Sequence, residues 1–176
     1  RLALLMNRSE RISALNEALS QRILVLDGAM GTALQDLDLS AEDFGGEALE
    51  GCNENLVLTR PEAIAEIHRK YFAAGADIAE TNTFGGTPLV LAEYGLEKKA
   101  HELNLAAATI ARQVADEFTK AGAPRWVAGS VGPTTKSITV TGGVQYPELV
   151  DHFYVQVKAL YEGDVDYFLI ETCQDT

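Results

Sequence analysis

The sequence predicts an α/β fold in which helices cover both faces of a parallel sheet. Short apolar runs alternate along the chain with longer segments whose apolar residues recur at helical spacing. This alternation is typical of parallel strands joined by crossover helices. Polar residues follow each apolar run, and α/β proteins bind ligands at the carboxyl ends of their strands. The pattern therefore favours a binding site at that end of the sheet.

The chain opens with a predicted helix and a predicted strand. Residues 9–22 carry apolar residues on one helical face and begin at a serine that can cap the helix. Residues 23–26 form an uninterrupted apolar run, which predicts a strand buried on both faces. Asp27 ends this strand. Gly28 and Gly31 follow it, and glycines let a backbone turn sharply and approach a ligand closely.

The next segment is predicted to be irregular, and a well-marked helix follows it. Residues 33–58 contain acids and glycines, which predicts a long loop with a short helical turn at most. Loops longer than about 15 residues are uncommon unless they are functional or disordered. Thr59 and Glu62 form a capping-box pattern with Pro61 in the first turn. A helix is therefore expected to begin there and to end at Gly75.

The alternation continues to the end of the chain. Apolar periodicity predicts the helices and strands, and glycine or proline residues mark their ends. Residues 135–146 contain few large apolar residues and are expected to form a mobile loop. The other predicted elements are strand 78–84, helices 89–94 and 97–120, strand 126–131, helix 147–162 and strand 167–170.

Polar side chains at the ends of all four predicted strands are expected to meet at one edge of the sheet. Loops are polar for general reasons, but four strands converging on one edge favour a functional origin. An open sheet and half of an eight-stranded barrel both fit the pattern. A complete barrel takes about 250 residues, whereas this chain has 176, so the sequence indicates a barrel fragment. The polar residues are Asp27, Thr81, Asn82, Ser130, Thr134, Glu171 and Asp175.

Composition disfavours several classes of partner. The chain has 176 residues and a formal net charge of -12, which disfavours binding to nucleic acids and to anionic membranes. No apolar run approaches the roughly 20 residues that span a bilayer, and the N-terminus lacks the apolar core of a signal peptide. Cys52 and Cys173 are far apart in the sequence and do not suggest a disulfide framework. These features favour the cytoplasm.

Four motifs, in order, resemble the homocysteine S-methyltransferase family. They lie at residues 27–32, 80–84, 129–134 and 171–172, each at the end of a predicted strand. Flanking stretches are most similar to the N-terminal homocysteine-binding module of the cobalamin-dependent methionine synthases. The resemblance implies a (β/α)8 TIM barrel, of which this chain would contain about the first four βα units. Residues 1–22 would be an N-terminal helical extension, and residues 23–176 the N-terminal half of the barrel domain.

The resemblance implies methyl transfer to the thiol of L-homocysteine, which gives methionine. The methyl group would come from methylcobalamin and ultimately from methyltetrahydrofolate, both bound by other modules of the same polypeptide. Asp27 and Glu171 match carboxylates that hold the substrate ammonium, through charge-assisted hydrogen bonds. Backbone amides of the turn after Asp27 are expected to take the substrate carboxylate. The candidate substrate-binding residues are Asp27, Gly28, Ala29, Met30, Gly31, Thr32, Asn82, Thr134 and Glu171.

Zinc is the cofactor that the resemblance implies for the thiol. A free thiol has a pKa near 8.5, and zinc coordination gives the reactive thiolate at neutral pH. The family holds zinc with three cysteines on later strands, and neither Cys52 nor Cys173 matches them. His68, His101 and His152 lie in predicted helices and are expected to be partly exposed. We therefore expect half of a substrate pocket, with no metal ligand or catalytic residue, and an isolated chain that is inactive.

Three other functions fit the same residues. A family member could use another methyl donor, such as a betaine or S-methylmethionine. A different TIM-barrel enzyme, such as a lyase, could use paired carboxylates for proton transfer. A non-catalytic half-barrel could serve assembly, since its open edge strands favour self-association.

Overall fold

The computed structural model describes residues 6–120, 122–139 and 142–173, and it confirms an α/β fold with a parallel sheet. The sheet contains β1 (Ile78–Glu80), β2 (Trp126–Val131) and β3 (Tyr167–Ile170), which are neighbours in that order. Both pairs are parallel, and Ala128 of β2 lies between Glu80 and Tyr167 in the register. All six residues of β2 are buried, as a central strand requires.

Helices connect these strands and pack against the sheet. Three long helices, Pro61–Ala74, Ala100–Phe118 and Tyr146–Glu162, lie side by side with Ala100–Phe118 in the middle, and each contacts a strand. No helix in the described ranges is both long and apolar enough to cross a membrane. The α-helices are α1 (Arg8–Gln21), α2 (Met30–Gln35), α3 (Ala41–Phe44), α4 (Leu56–Thr59), α5 (Pro61–Ala74), α6 (Pro88–Leu91), α7 (Ala100–Phe118) and α8 (Tyr146–Glu162), with 3-10 turns at Glu47–Leu49, Asn53–Asn55, Ala92–Tyr94 and Glu97–Lys99.

The predicted first strand is wrong in one respect, because it is not buried on both faces. Residues 23–26 run parallel to β1 but form a single bridge, between Leu26 and Ile78. Ile23 is 89% exposed and Val25 is 54% exposed, while Leu24 and Leu26 pack against the core. Alternate side chains of the segment therefore face the core and the solvent.

The predicted loop over residues 33–58 is also wrong, since most of it folds into short helices. These turns bury Phe44, Cys52 and Leu56 against α5 and α7. Asn55 anchors the segment by donating from Nδ2 to the backbone carbonyl of Phe44 at 2.7 Å. Helices of three to six residues show too few repeats of the apolar pattern to be recognised in the sequence.

Several predicted boundaries shift. Asn7, not Ser9, caps α1 through a reciprocal capping box with Glu10. The capping box predicted at Thr59 is absent: Arg60 is the N-cap of α5, with no side-chain cap bond. The strand predicted over residues 78–84 ends at Glu80. Described residues of the predicted loop 135–146 form no helix or strand before α8; residues 140 and 141 lie outside the described part, as do residues 1–5 and 174–176.

One end of the sheet is closed by α1. Leu15 of this helix joins a buried inner cluster with Ile78, Trp126 and Ala128. Trp126 donates from its indole Nε1 to the backbone carbonyl of Arg11 at 2.9 Å. Apolar side chains therefore occupy this end of the sheet, and the carboxyl ends of the strands lie at the opposite end.

The Gly132 backbone is packed so closely that a side chain is excluded. A Cβ atom at this position would lie 2.5 Å from the backbone oxygen of Phe84. We expect Gly132→Ala to lower the free energy of unfolding by about 1–3 kcal/mol, because the two backbone segments must separate. Gly31→Ala is the control, since its nearest neighbour would be 4.0 Å away and alanine favours helix. Urea unfolding of both variants measures the difference, and equal stabilities would contradict the close approach.

Candidate functional site

A polar cleft of about 370 Å³ lies at the carboxyl ends of the strands. It is built by the segment after residue 26, by the turn after β1 and by residues at the ends of β2 and β3. The sequence-based expectation of converging strand ends agrees with this geometry. The lining residues are Asp27, Gly28, Ala29, Met30, Gly31, Glu80, Thr81, Asn82, Thr83, Phe84, Ser130 and Glu171.

Asp27 is fixed to the neighbouring strand by its carboxylate. Its Oδ1 accepts a hydrogen bond from the backbone N–H of Glu80 at 3.0 Å. Its side chain is only 2% exposed. Burial raises the pKa of Asp27 to about 7, and the charge of Glu80 adds to that effect. The cleft therefore contains a carboxyl group that is poised to gain or lose a proton near neutral pH.

His68 lies directly behind Asp27 and is fully buried, so its predicted partial exposure is wrong. Its Nδ1 is 4.0 Å from Oδ2 of Asp27, and neither ring nitrogen has a hydrogen-bond partner among the described residues. Burial lowers the pKa of His68 to about 4, so the ring is neutral at physiological pH. The histidine therefore supplies no charge that would hold Asp27 ionised.

Glu171 and Glu80 bring two further carboxylates to the cleft, and both are partly buried. Ser130 donates its hydroxyl to Oε1 of Glu171, which fixes that side chain across the end of β2. Burial, together with the charge of Glu171, raises the pKa of Glu80 to about 6. Glu80 was not among the predicted site residues. Its signal in the sequence is a lone acid that directly follows the buried pair Ile78 and Ala79.

The turn after Asp27 leads straight into α2. Neither Gly28 nor Gly31 adopts a positive φ, so the turn does not use a backbone conformation reserved for glycine. A Cβ at Gly28 would lie 3.1 Å from the hydroxyl of Tyr71, a contact that a small shift of the tyrosine would relieve. Ala29 caps α2 without a side-chain bond. The first amides of α2 have no intrahelical acceptor, so they are available to an acceptor in the cleft.

The other polar residues of the cleft mainly hold the backbone. Asn82 donates from Nδ2 to the carbonyl of Asn53 at 2.8 Å. Thr81 accepts from the backbone N–H of Ser130 at 3.0 Å through its hydroxyl. Thr83 donates its hydroxyl to the carbonyl of Ser130 at 2.7 Å. These bonds tie the turn after β1 to β2 and fix the shape of the cleft wall.

Comparison with known proteins identifies the family. The family model described as homocysteine S-methyltransferase matches residues 24–176. The chain belongs to the homocysteine S-methyltransferase family. Methionine synthases from Mycobacterium leprae (strain TN) and Mycobacterium tuberculosis (strain ATCC 25618 / H37Rv) are each 46% identical to it, over 96% and 90% of this chain. The chain spans 14% and 13% of the length of these two relatives.

Solved structures of a homocysteine methyltransferase share the fold. The metallated form of MmuM from Escherichia coli superposes with a TM-score of 0.75 at 25% identity, over 92% of this chain and 58% of that one. The oxidized form gives a TM-score of 0.71 at 27% identity, over 88% of this chain and 55% of that one. The chain therefore spans little more than half of a structure of this family.

Thr134 lies apart from the cleft. It lines a separate cavity of about 140 Å³, with Lys136, Phe153 and Cys173 among the other lining residues. Its hydroxyl donates to the carbonyl of Lys136 at 2.5 Å. The cleft lining thus contains seven of the nine predicted substrate-binding residues, and the two that it lacks are Thr134 and Thr32, which lies inside α2.

The residues present do not fit the zinc that this family implies. Cys52 is fully buried in the helical core, and burial raises the pKa of its thiol to about 11. Cys173 is exposed and lines the separate cavity. Among the described residues, no three histidine, cysteine or acidic side chains are grouped to hold a metal ion.

The raised pKa of Asp27 makes a prediction about stability. Its folded pKa of about 7 lies above the usual value of 3.8, so the folded state loses stability as pH rises between these values. Asparagine keeps the acceptor oxygen and carries no charge. We expect Asp27→Asn to stabilise the protein by a few kcal/mol at about pH 8 and to bring little gain at about pH 4. Urea unfolding at both pH values tests this, and a gain independent of pH would contradict it.

Proposed function

We propose that this chain supplies the amino-acid end of an L-homocysteine site in a methyltransferase that forms methionine. One observation carries the proposal. The carboxylates of Asp27 and Glu171 lie in the same cleft as the unpaired amides at the start of α2. An amino acid presents the opposite pattern, with an ammonium group and a carboxylate on one carbon.

The proposed contacts follow from charge. The substrate ammonium binds between Asp27 and Glu171, because hydrogen bonds between ammonium and carboxylate groups are strong and directional. The substrate carboxylate accepts from backbone amides in the segment 28–32. Asn82 lines the wall of this site. Thr134 lines the separate cavity and is not part of this site. The thiol then points away from these groups, toward the open side of the cleft.

The fold proposed for the whole domain is a (β/α)8 barrel. Residues 23–176 form its N-terminal half, and residues 1–22 form a helical extension that includes α1. The coverage of 55–58% of the MmuM chains supports this division. The packing of α1 against Trp126, at the end of the sheet away from the cleft, supports its role as an added cap.

The methyl donor proposed for this chain is methylcobalamin, recharged from methyltetrahydrofolate on other modules of the same polypeptide. The identity of 46% to two methionine synthases supports this choice over another donor. Zinc that activates the thiol is proposed to be held by residues outside this chain, because its own two cysteines are buried or lie apart. The chain alone is therefore proposed to bind the amino-acid group without transferring methyl, and to work in the cytoplasm.

Calorimetric titration with substrate analogues tests the proposal. We expect binding of L-homocysteine and L-methionine, and at least about tenfold weaker binding of 4-mercaptobutyrate, which lacks the ammonium group. Added zinc should leave the affinity for L-homocysteine unchanged. Equal binding of 4-mercaptobutyrate would contradict the ammonium site and favour a different barrel enzyme. A zinc-dependent gain would show that Cys52 or Cys173 does take part in metal binding.

A further inference from the structure

We propose that Glu80 is a third substrate-facing carboxylate of the cleft, and that the free protein holds a proton between Asp27 and Glu80 which the substrate ammonium displaces. This inference rests on the proposed function and deepens it. It assigns a residue outside the predicted site, and it makes substrate binding a proton-releasing step.

The sheet register places Glu80 on the same face as Glu171. Glu80 pairs with Ala128, and Ala128 pairs with Tyr167. Side chains in register on parallel strands share a face, and every second residue returns to it. Tyr167 is therefore on the face of Glu80, and so is Glu171, four residues later. Only the small side chain of Ala128 lies between Glu80 and β3, which leaves room for a ligand group.

Asp27 lines the same cleft as Glu80 and Glu171 from the neighbouring segment. It directly follows Leu26, which pairs with Ile78 on the inner face. One carboxylate oxygen of Asp27 accepts from the backbone N–H of Glu80 at 3.0 Å, and the other lies 4.0 Å from His68 Nδ1 of α5. Glu80 is thus linked to both acids, to Asp27 through its backbone N–H and to Glu171 through the shared face and cleft.

The surroundings of the three carboxylates offer no cation to balance them. Among the described residues that line the cleft, none carries a positive charge. From α5 the facing group is the neutral His68, and from β3 it is Tyr167. Burial, together with the charges of Glu80 and Asp27, raises the pKa of Tyr167 to about 12, so it stays protonated. Glu54, in the 3-10 turn Asn53–Asn55, is the nearby acid, and its Oε1 accepts from the backbone N–H of Gly85 at 2.8 Å.

Electrostatic repulsion among the carboxylates of Asp27, Glu80 and Glu171 leads to a shared proton. Burial disfavours ionisation of both Asp27 and Glu80, and the charge of Glu80 on Asp27 and of Glu171 on Glu80 adds to that effect. Three buried or partly buried carboxylates cannot all ionise at low cost, so one proton is retained near neutral pH. A substrate ammonium supplies the missing positive charge. The retained proton then leaves to solvent, and no covalent bond changes.

The first test needs no substrate. Carbon-13 NMR of the carboxyl groups follows the titration of Asp27 in the whole chain and in Glu80→Gln. We expect the midpoint of Asp27 to fall by about one pH unit in the variant, since a neutral amide removes the repulsion. Glu47→Gln, which changes an exposed acid in the 3-10 turn Glu47–Leu49, is the matched control and should leave it unchanged. An unchanged midpoint in Glu80→Gln would overturn the shared proton.

The second test measures the displaced proton. Calorimetric titration with L-homocysteine in two buffers of different ionisation enthalpy counts the protons released at about pH 6.5. We expect release by the wild-type chain, much less release by Glu80→Gln, and affinity about tenfold lower in that variant. Binding without proton release would overturn the role of Glu80 and leave the proposed function standing. A coupled titration without any binding would overturn the proposed function, and the displacement with it.

Discussion

Replacing Glu171 with glutamine is expected to weaken binding of L-homocysteine by about 10- to 100-fold, because a charge-assisted hydrogen bond to the ammonium becomes a neutral one. Glutamine retains the shape and can still accept the hydroxyl of Ser130. The cleft should therefore keep its geometry, and the loss should come from charge alone. NMR titration of the chain with L-homocysteine suits the weak affinities that such a variant would show.

The matched control is Glu47→Gln, which removes the same charge from an exposed position. Its affinity should equal that of the wild-type chain. The loss in Glu171→Gln should also vanish for 4-mercaptobutyrate, which carries no ammonium group. If both ligands lose affinity equally, Glu171 shapes the cleft rather than binding the ammonium.

Replacing Asp166 with asparagine is expected to destabilise the protein by about 3–5 kcal/mol. Asp166 is buried and accepts hydrogen bonds from Arg11 Nε at 2.6 Å, from Arg112 Nη1 at 2.9 Å and from the backbone N–H of Val127 at 2.8 Å. It thereby joins α1, α7 and β2 at the end of the sheet away from the cleft. An uncharged side chain leaves two buried guanidinium groups without their shared partner.

Asp164→Asn provides the control for this variant. Asp164 contacts Arg8 and Arg11, but its side chain is 43% exposed, and exposed ion pairs contribute less than about 1 kcal/mol. Its φ of +67° also tolerates asparagine. Urea unfolding of both variants gives the two losses. Similar losses of unfolding free energy in the two variants would mean that burial of Asp166 does not determine how much it contributes to stability.

The sequence could predict the long elements because their patterns repeat several times. The strand Trp126–Val131 was predicted with both ends correct, and α7 and α8 differ from prediction by three residues or fewer at each end. Residues 33–58 could not be predicted, since their short helices are stabilised by burial of Phe44 and Leu56 against distant helices. The exposure of Ile23 depends on which neighbours its segment has, and a local apolar run does not encode that.

The site could be predicted in part. Asp27 and Glu171 were expected to meet because both end strands, and the cleft contains both. Thr134 follows the same rule but lines another cavity, together with Lys136 and Phe153. His68 could have been found, since it lies four residues after Ile64 on the apolar stripe of α5 and is buried with it. The proximity of Glu80 to Asp27 depends on strand register, which the sequence does not specify.

Mapping of L-homocysteine onto the backbone amides by nitrogen-15 NMR tests the central claim most directly. A homocysteine site in the cleft predicts that the largest chemical-shift changes fall on residues 28–32, on the turn after Glu80 and on Glu171. The same shifts should be lost when the ligand is 4-mercaptobutyrate. Shifts confined to the cavity of Thr134 and Cys173, or no shifts at all, would contradict a homocysteine site at the ends of these strands.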